Sequence, residues 1–104
     1  MARILVLYNA PTDPAAFDVY YRETHTPLAQ KIPRLRALTI GEGPVTTLAG
    51  TTPAPYLIAS LTFDTMADLN AALASPEGQA TAADLANFAT GGVTLFAFET
   101  TEKL

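Results

Sequence analysis

An α+β fold of the ferredoxin-like type, β-α-β-β-α-β with a four-stranded antiparallel sheet, is what this 104-residue chain predicts. Three observations carry that reading. Runs rich in Val, Ile, Leu, Tyr and Phe alternate with stretches whose apolar residues recur at three- and four-residue steps. Asp13-Pro14 and Ser75-Pro76 each join a capping side chain to a proline that fits the first helical turn. No linker or low-complexity tract interrupts the order, and an apolar fraction of 49% is that of a globular chain, so residues 1–104 read as one domain.

The elements follow in turn. Residues 2–9 form a strand ended by Asn9-Ala-Pro11. A helix runs from Pro14 to Thr24, with Phe17, Tyr20, Tyr21, Thr24 and Leu28 on one side. Pro27 predicts a break, because the residue before a proline is pushed out of the α region, and a short second piece spans Leu28 to Ile32. Leu35 to Leu48 reads as a strand bent at Gly41 and Gly43. Residues 49–55 form a loop, and Tyr56 to Phe63 is the third strand. Asp64 caps a helix striped with Met66, Leu69 and Leu73, and Ser75-Pro76-Glu77 opens another that ends near Phe88. Val93 to Glu99 is the last strand.

The strands are apolar on both faces. Ile4, Val6 and Tyr8 oppose Leu5 and Leu7; Leu57, Leu61 and Phe63 oppose Tyr56 and Ile58; Val93 and Leu95 oppose Phe96 and Phe98. Helices cover one face of such a sheet. The simplest cover for the other is a second copy related by two-fold symmetry, so a homodimer is expected.

Charge and composition exclude several classes. A net charge of −4 disfavours nucleic acid or an anionic membrane as partner, and the one basic cluster, Lys31, Arg34 and Arg36, is too short to reverse this. With no cysteine there is no disulfide, thiolate nucleophile or sulfur-ligated metal, and one histidine rules out a His-pair metal site within the chain. No metal and no cofactor are expected. The N-terminal Ile4-Leu-Val-Leu-Tyr8 reads as a strand and not a signal peptide, and no apolar run reaches transmembrane length, so a cytoplasmic location is expected.

Proton chemistry near neutral pH then rests on His25, since histidine is the side chain that ordinarily titrates there. It lies one helical turn after Tyr21, on the same face. By position alone His25 fits a cap on the last helical carbonyls, or quiet packing under the loop, as well as it fits a site role. Asp84, in Ala82-Ala-Asp-Leu-Ala-Asn-Phe-Ala89, reads either as an exposed helix residue or as a carboxylate that orients His25. Of Tyr20 and Tyr21, one should face the core and one the flank. Asp18 and Arg22 have the spacing of a solvated helix pair. Gly41-Glu-Gly43 lacks a following helix and is strand geometry, not a phosphate loop. The only serines, 60 and 75, stand in no nucleophile motif.

The stretch Phe17-Asp-Val-Tyr-Tyr-Arg-Glu-Thr-His-Thr-Pro-Leu28, followed by Lys31-Ile-Pro33, resembles the signature of the EthD family, named for ethyl tert-butyl ether degradation. Phe63-Asp64, Ser75-Pro-Glu-Gly78 and Ala83-Asp-Leu-Ala-Asn-Phe88 resemble it further, in the family's order and over nearly the whole chain. Arg34 departs from the pattern, since the family usually has glycine there; this changes the turn into the second strand and leaves the site untouched. The resemblance implies a dimeric α+β barrel with His25 facing a cleft between helices and sheet. It also implies a range of activities: lactone isomerases, cofactor-free monooxygenases of aromatic polyketides, polyketide cyclases, accessories to haem monooxygenase systems, and relatives described as reductases in xenobiotic degradation.

Two functions follow from these residues. One is an enzyme acting on a small, mostly apolar organic molecule, with His25 as general acid/base, Tyr21 or Asp84 as its partner, and Tyr8, Tyr56, Phe88 and Phe96 lining the pocket. The alternative is a non-catalytic dimer that binds such a molecule or assists an oxygenase, with His25 supplying only a hydrogen bond.

Overall fold

A computed structural model describes all residues, Met1–Leu104. Alternating apolar side chains and β-branched residues build four strands: β1 (Ala2–Tyr8), β2 (Ala37–Ile40), β3 (Leu57–Phe63) and β4 (Val93–Glu99). They form one antiparallel sheet in the order β2-β3-β1-β4. Ile4 lies opposite Leu61 on one side and Ala97 on the other; Tyr8 lies opposite Leu57 and Val93. This is the ferredoxin-like arrangement that the element order predicts.

The pleat sorts the side chains as expected. Ala2, Ile4, Val6 and Tyr8 of β1, with Ala59, Leu61 and Phe63 of β3, are buried under the helices. Leu5, Leu7, Ile58, Phe96 and Phe98 share the opposite face by register. Nothing in the monomer covers that face: Phe96 is 56% exposed.

Asp13 caps the first helix, its Oδ1 accepting from the Ala16 amide at 3.1 Å, and Pro14 takes the first position. The predicted break at Pro27 does not occur. Helix α1 (Pro14–Tyr20) passes into a π-helical segment (Tyr21–His25) and directly into α2 (Thr26–Gln30). Thr26 keeps helical angles, and its amide donates five residues back, to the Tyr21 carbonyl. The wider π turn carries one more residue than an α turn. It moves the preceding carbonyls away from the Pro27 ring, which in an α turn would collide with them. The proline is thus absorbed by a change of helix type, not by a break.

The second strand is shorter than expected and ends at Ile40, not near Leu48. Gly41 makes the last bond to β3, its amide donating to the Ile58 carbonyl. Beyond it, Gly43 adopts φ +72° and Pro44 offers no amide hydrogen, so the ladder cannot continue.

Thr65, not Asp64, caps α3 (Met66–Ala74), accepting from the Asp68 amide at 3.0 Å. Asp64 instead holds Arg36 at 2.9 Å, and Asp68 holds Arg34 at 2.7 Å. Two cations of the basic cluster are therefore neutralised. Arg34 itself stands at φ +64°, in the left-handed region where glycine is the easy occupant. Ser75 closes α3 and caps α4 (Pro76–Phe88), as its sequence context predicts. Gly78 lets the two helices meet, because a Cβ there would overlap the Ala72 carbonyl. No helix is long and apolar enough to cross a membrane.

Candidate functional site

The π-helical segment sets Tyr21 and His25 on the inner side of the first helix, their ring centroids 5.6 Å apart. Helix α4 runs beside it and brings Asp84 to the imidazole. His25 Nδ1 and Asp84 Oδ2 are 2.9 Å apart, between side chains that are 6% and 8% exposed. Asp84 is therefore not the exposed helix residue that one sequence reading allowed. Its Oδ1 accepts two more hydrogen bonds, from the Tyr20 hydroxyl at 2.6 Å and from Asn87 Nδ2 at 3.0 Å.

Electrostatics keeps this carboxylate charged. Burial by itself raises the Asp84 pKa, but the donors Tyr20, Asn87 and His25 outweigh burial and hold it below the ordinary carboxylate range. An ionised carboxylate only accepts hydrogen bonds, so a neutral His25 carries its hydrogen on Nδ1. The second ring nitrogen, Nε2, then presents a lone pair and has no hydrogen-bond partner in the protein.

His25 lines a cavity of about 60 Å³ between the helices and the covered sheet face. Fifteen of its 18 lining residues are hydrophobic, so the space suits an apolar body with one polar end. Tyr8 and Tyr21 also line it and form an aromatic cluster with Phe17 and Phe88; the Tyr8 ring lies 5.4, 5.5 and 5.6 Å from those of Phe17, Tyr21 and Phe88. Burial pushes the Tyr21 hydroxyl up to about 12, with the neighbouring Tyr8 hydroxyl pulling slightly the other way. Burial first, then Tyr21 and Asp84, raise Tyr8 further still. Both phenols are hydrogen donors at neutral pH.

Leu73 and Leu95 line the same cavity while remaining 42% and 45% exposed, which marks its mouth between edge strand β4 and the α3–α4 pair.

The other expected lining residues are placed differently. Phe88 does not reach the cavity wall; it backs the imidazole, with ring centroids 4.6 Å apart. Phe96 lies on the opposite sheet face, because the pleat turns it away when Leu95 turns in. Tyr56 falls one residue outside β3 and so leaves the face it was expected to share with Ile58. It packs edge-on to Phe17 at 5.3 Å, and its hydroxyl donates to Asp18 at 2.8 Å. Asp18 is consequently not paired with Arg22, whose guanidinium lies 3.9 Å from Glu23.

Sequence reading missed Tyr20 and Asn87 as neighbours of the site. Asn87 had a signal, its i,i+3 spacing from Asp84 on one helix; Tyr20 lies in the stretch that resembles the family signature, but nothing in the sequence links it to Asp84.

Comparison with known proteins bears on the family and the fold. An uncharacterised 11.0 kDa protein of Rhodococcus erythropolis, from the thcB-thcC intergenic region, is 48% identical over 95 residues, which cover 91% of this chain and 90% of that protein. The crystal structure of an ethyl tert-butyl ether degradation (EthD) family protein from Bacillus halodurans superposes with a TM-score of 0.85 at 32% identity, covering 97% of this chain and 99% of that one. SnoaB, a cofactor-independent oxygenase from Streptomyces nogalater, shares the fold with a TM-score of 0.64 at 16% identity, over 99% of this chain and 95% of that one. The EthD domain model matches residues 9–92, and with it the whole constellation from Tyr20 to Asn87. The chain belongs to the EthD domain family.

Proposed function

We propose that this protein is an enzyme that moves a proton on a small, mostly apolar organic molecule, with the Asp84–His25 pair as its acid/base group. The observation that carries this reading is the buried 2.9 Å contact between His25 Nδ1 and Asp84 Oδ2 at the wall of an apolar cavity. A carboxylate that accepts from Nδ1 makes Nε2 the basic atom and stabilises the imidazolium that forms when Nε2 takes a proton. A substrate with a C–H next to a carbonyl meets these requirements. Where a C=C lies beyond that carbon, Nε2 removes the proton and the C–H electron pair moves into a dienolate. The same proton returns at the far carbon of the C=C, whose π pair has shifted into conjugation with the carbonyl, to give an isomer. The Tyr21 phenol, still protonated at neutral pH, donates to the enolate oxygen as its charge develops.

Such an enolate is also the carbon nucleophile that a cyclase would need, and an electron-rich species of the kind a cofactor-independent oxygenase would need. The isomerase-like step is the minimal one and needs no group that these residues do not supply. In the same reading the open face with Leu5, Leu7, Phe96 and Phe98 seats a second copy, and the working unit is a homodimer.

The test is deuterium exchange. Lactones and aromatic ketones are incubated with the protein in heavy water, and exchange next to the carbonyl is followed by NMR. His25→Ala should slow the exchange by roughly 10²–10⁴-fold with the fold retained. If His25→Gln binds the same ligands equally well and neither protein exchanges protons, the protein is a small-molecule binder and the acid/base role is wrong.

A further inference from the structure

The three donors on Asp84 divide its two oxygens unequally. Tyr20 and Asn87 both bind Oδ1, at 2.6 and 3.0 Å, and leave Oδ2 to His25 Nδ1 at 2.9 Å. We infer that Tyr20 and Asn87 are positioning residues for His25: acting through Asp84, they hold the neutral imidazole in the tautomer that leaves Nε2 bare toward the cavity.

The argument is one of geometry. With two donors on Oδ1 the carboxylate cannot rotate about its Cβ–Cγ bond without breaking both bonds, so Oδ2 stays aimed at the imidazole. Asn87 presents its amide hydrogens, since its carbonyl oxygen against an anionic oxygen would repel. Tyr20 and Asn87 come from different helices, Tyr20 as the last residue before the π-helical segment and Asn87 one turn after Asp84. The Tyr20 ring is stacked on Phe88, centroids 5.3 Å apart and planes 24° from parallel, which fixes where its hydroxyl can go. Phe88 in turn packs against the His25 ring.

The alternative state is specific. A carboxyl that takes up a proton can donate to Nδ1, and a carboxylate that turns away leaves Nδ1 without an acceptor; either change lets the imidazole hydrogen move to Nε2. Nε2 would then face the cavity as a donor, unable to accept a substrate proton. The low carboxyl pKa produced by these donors works in the same direction as their geometry.

This inference rests on the reading of His25 as the acid/base group, but its test needs no turnover, so either can fail without the other. His25 is the sole histidine, and nitrogen NMR of labelled full-length protein therefore reads one imidazole without ambiguity. At mildly alkaline pH the neutral ring of the unmodified protein should be mainly the Nδ1–H form. Tyr20→Phe, which keeps the stacked ring, should raise the ratio of Nε2–H to Nδ1–H at least twofold, and Tyr20→Phe with Asn87→Ala at least fivefold. A merely structural role would lower the melting temperature and leave that ratio alone. A ratio unchanged in the folded double variant, or a parent protein dominated by Nε2–H, overturns the inference. If the double variant does not fold, an unchanged ratio in Tyr20→Phe overturns it equally.

Discussion

Both faces of the sheet carry large apolar side chains, yet their surroundings differ. On the covered face, Ile4, Val6, Tyr8 and Leu61 pack under helices that also carry His25, Tyr21 and Asp84. There the dry surroundings strengthen each hydrogen bond and raise the cost of leaving any group unpaired. On the open face, Leu5, Leu7, Phe96 and Phe98 meet Arg3, Ser60 and Thr62 across the ladder, and no charged pair is buried among them. Apolar area without a polar network suits association; apolar area around a paired acid and imidazole suits chemistry.

The largest way to break this contrast is to remove the carboxylate. Asp84→Ala leaves Tyr20, Asn87 and the buried His25 without their shared acceptor, and should cost about 3 kcal/mol in a urea or guanidinium unfolding curve. A loss below about 1 kcal/mol would mean that water reaches these groups freely and that the covered face is not dry.

On the open face the expected effect is on assembly. Phe96→Asp should leave monomer stability within about 1 kcal/mol, because the side chain is already more than half exposed, and should shift a dimer to monomer in sedimentation velocity. A parent protein that sediments as a monomer at all accessible concentrations would remove the second copy from this face.

The smallest effect is in acid, and it belongs to the covered face alone. Asp84 has a folded pKa below its unfolded value, so the stability it contributes is complete above the unfolded value, near 4, and is lost as the pH falls toward the folded value. Asp84→Asn should flatten the stability curve in that acid window, while Phe96→Asp keeps the parent's acid slope from Asp84. Equal acid slopes in Asp84→Asn and the parent would show that this carboxyl titrates normally.

Much of the fold was legible because it depends on short-range rules. Asp13 and Ser75 cap where their neighbours indicate, since a cap needs only an oxygen and an amide three residues on. Three elements were misplaced by rules of the same range. Pro27 should end a helix, but the π turn offered a way through that local preference does not foresee. Gly43 and Pro44 ended a ladder whose alternation ran on, and Thr65 took the cap that the sequence assigns to Asp64, leaving Asp64 to Arg36.

What the sequence determined by itself is the element order, the apolar residues on both sheet faces, and the presence of one imidazole at the end of the first helix. What only the tertiary structure decided is which groups meet there. His25 and Asp84 are 59 residues apart, and Tyr20 and Asp84 are 64 apart. No periodicity links them; their contact depends on α4 lying beside the π-helical segment, with Phe88 wedged against both rings. Local propensity acts over one or two turns of chain, whereas a buried hydrogen bond is fixed by how whole helices dock on a sheet.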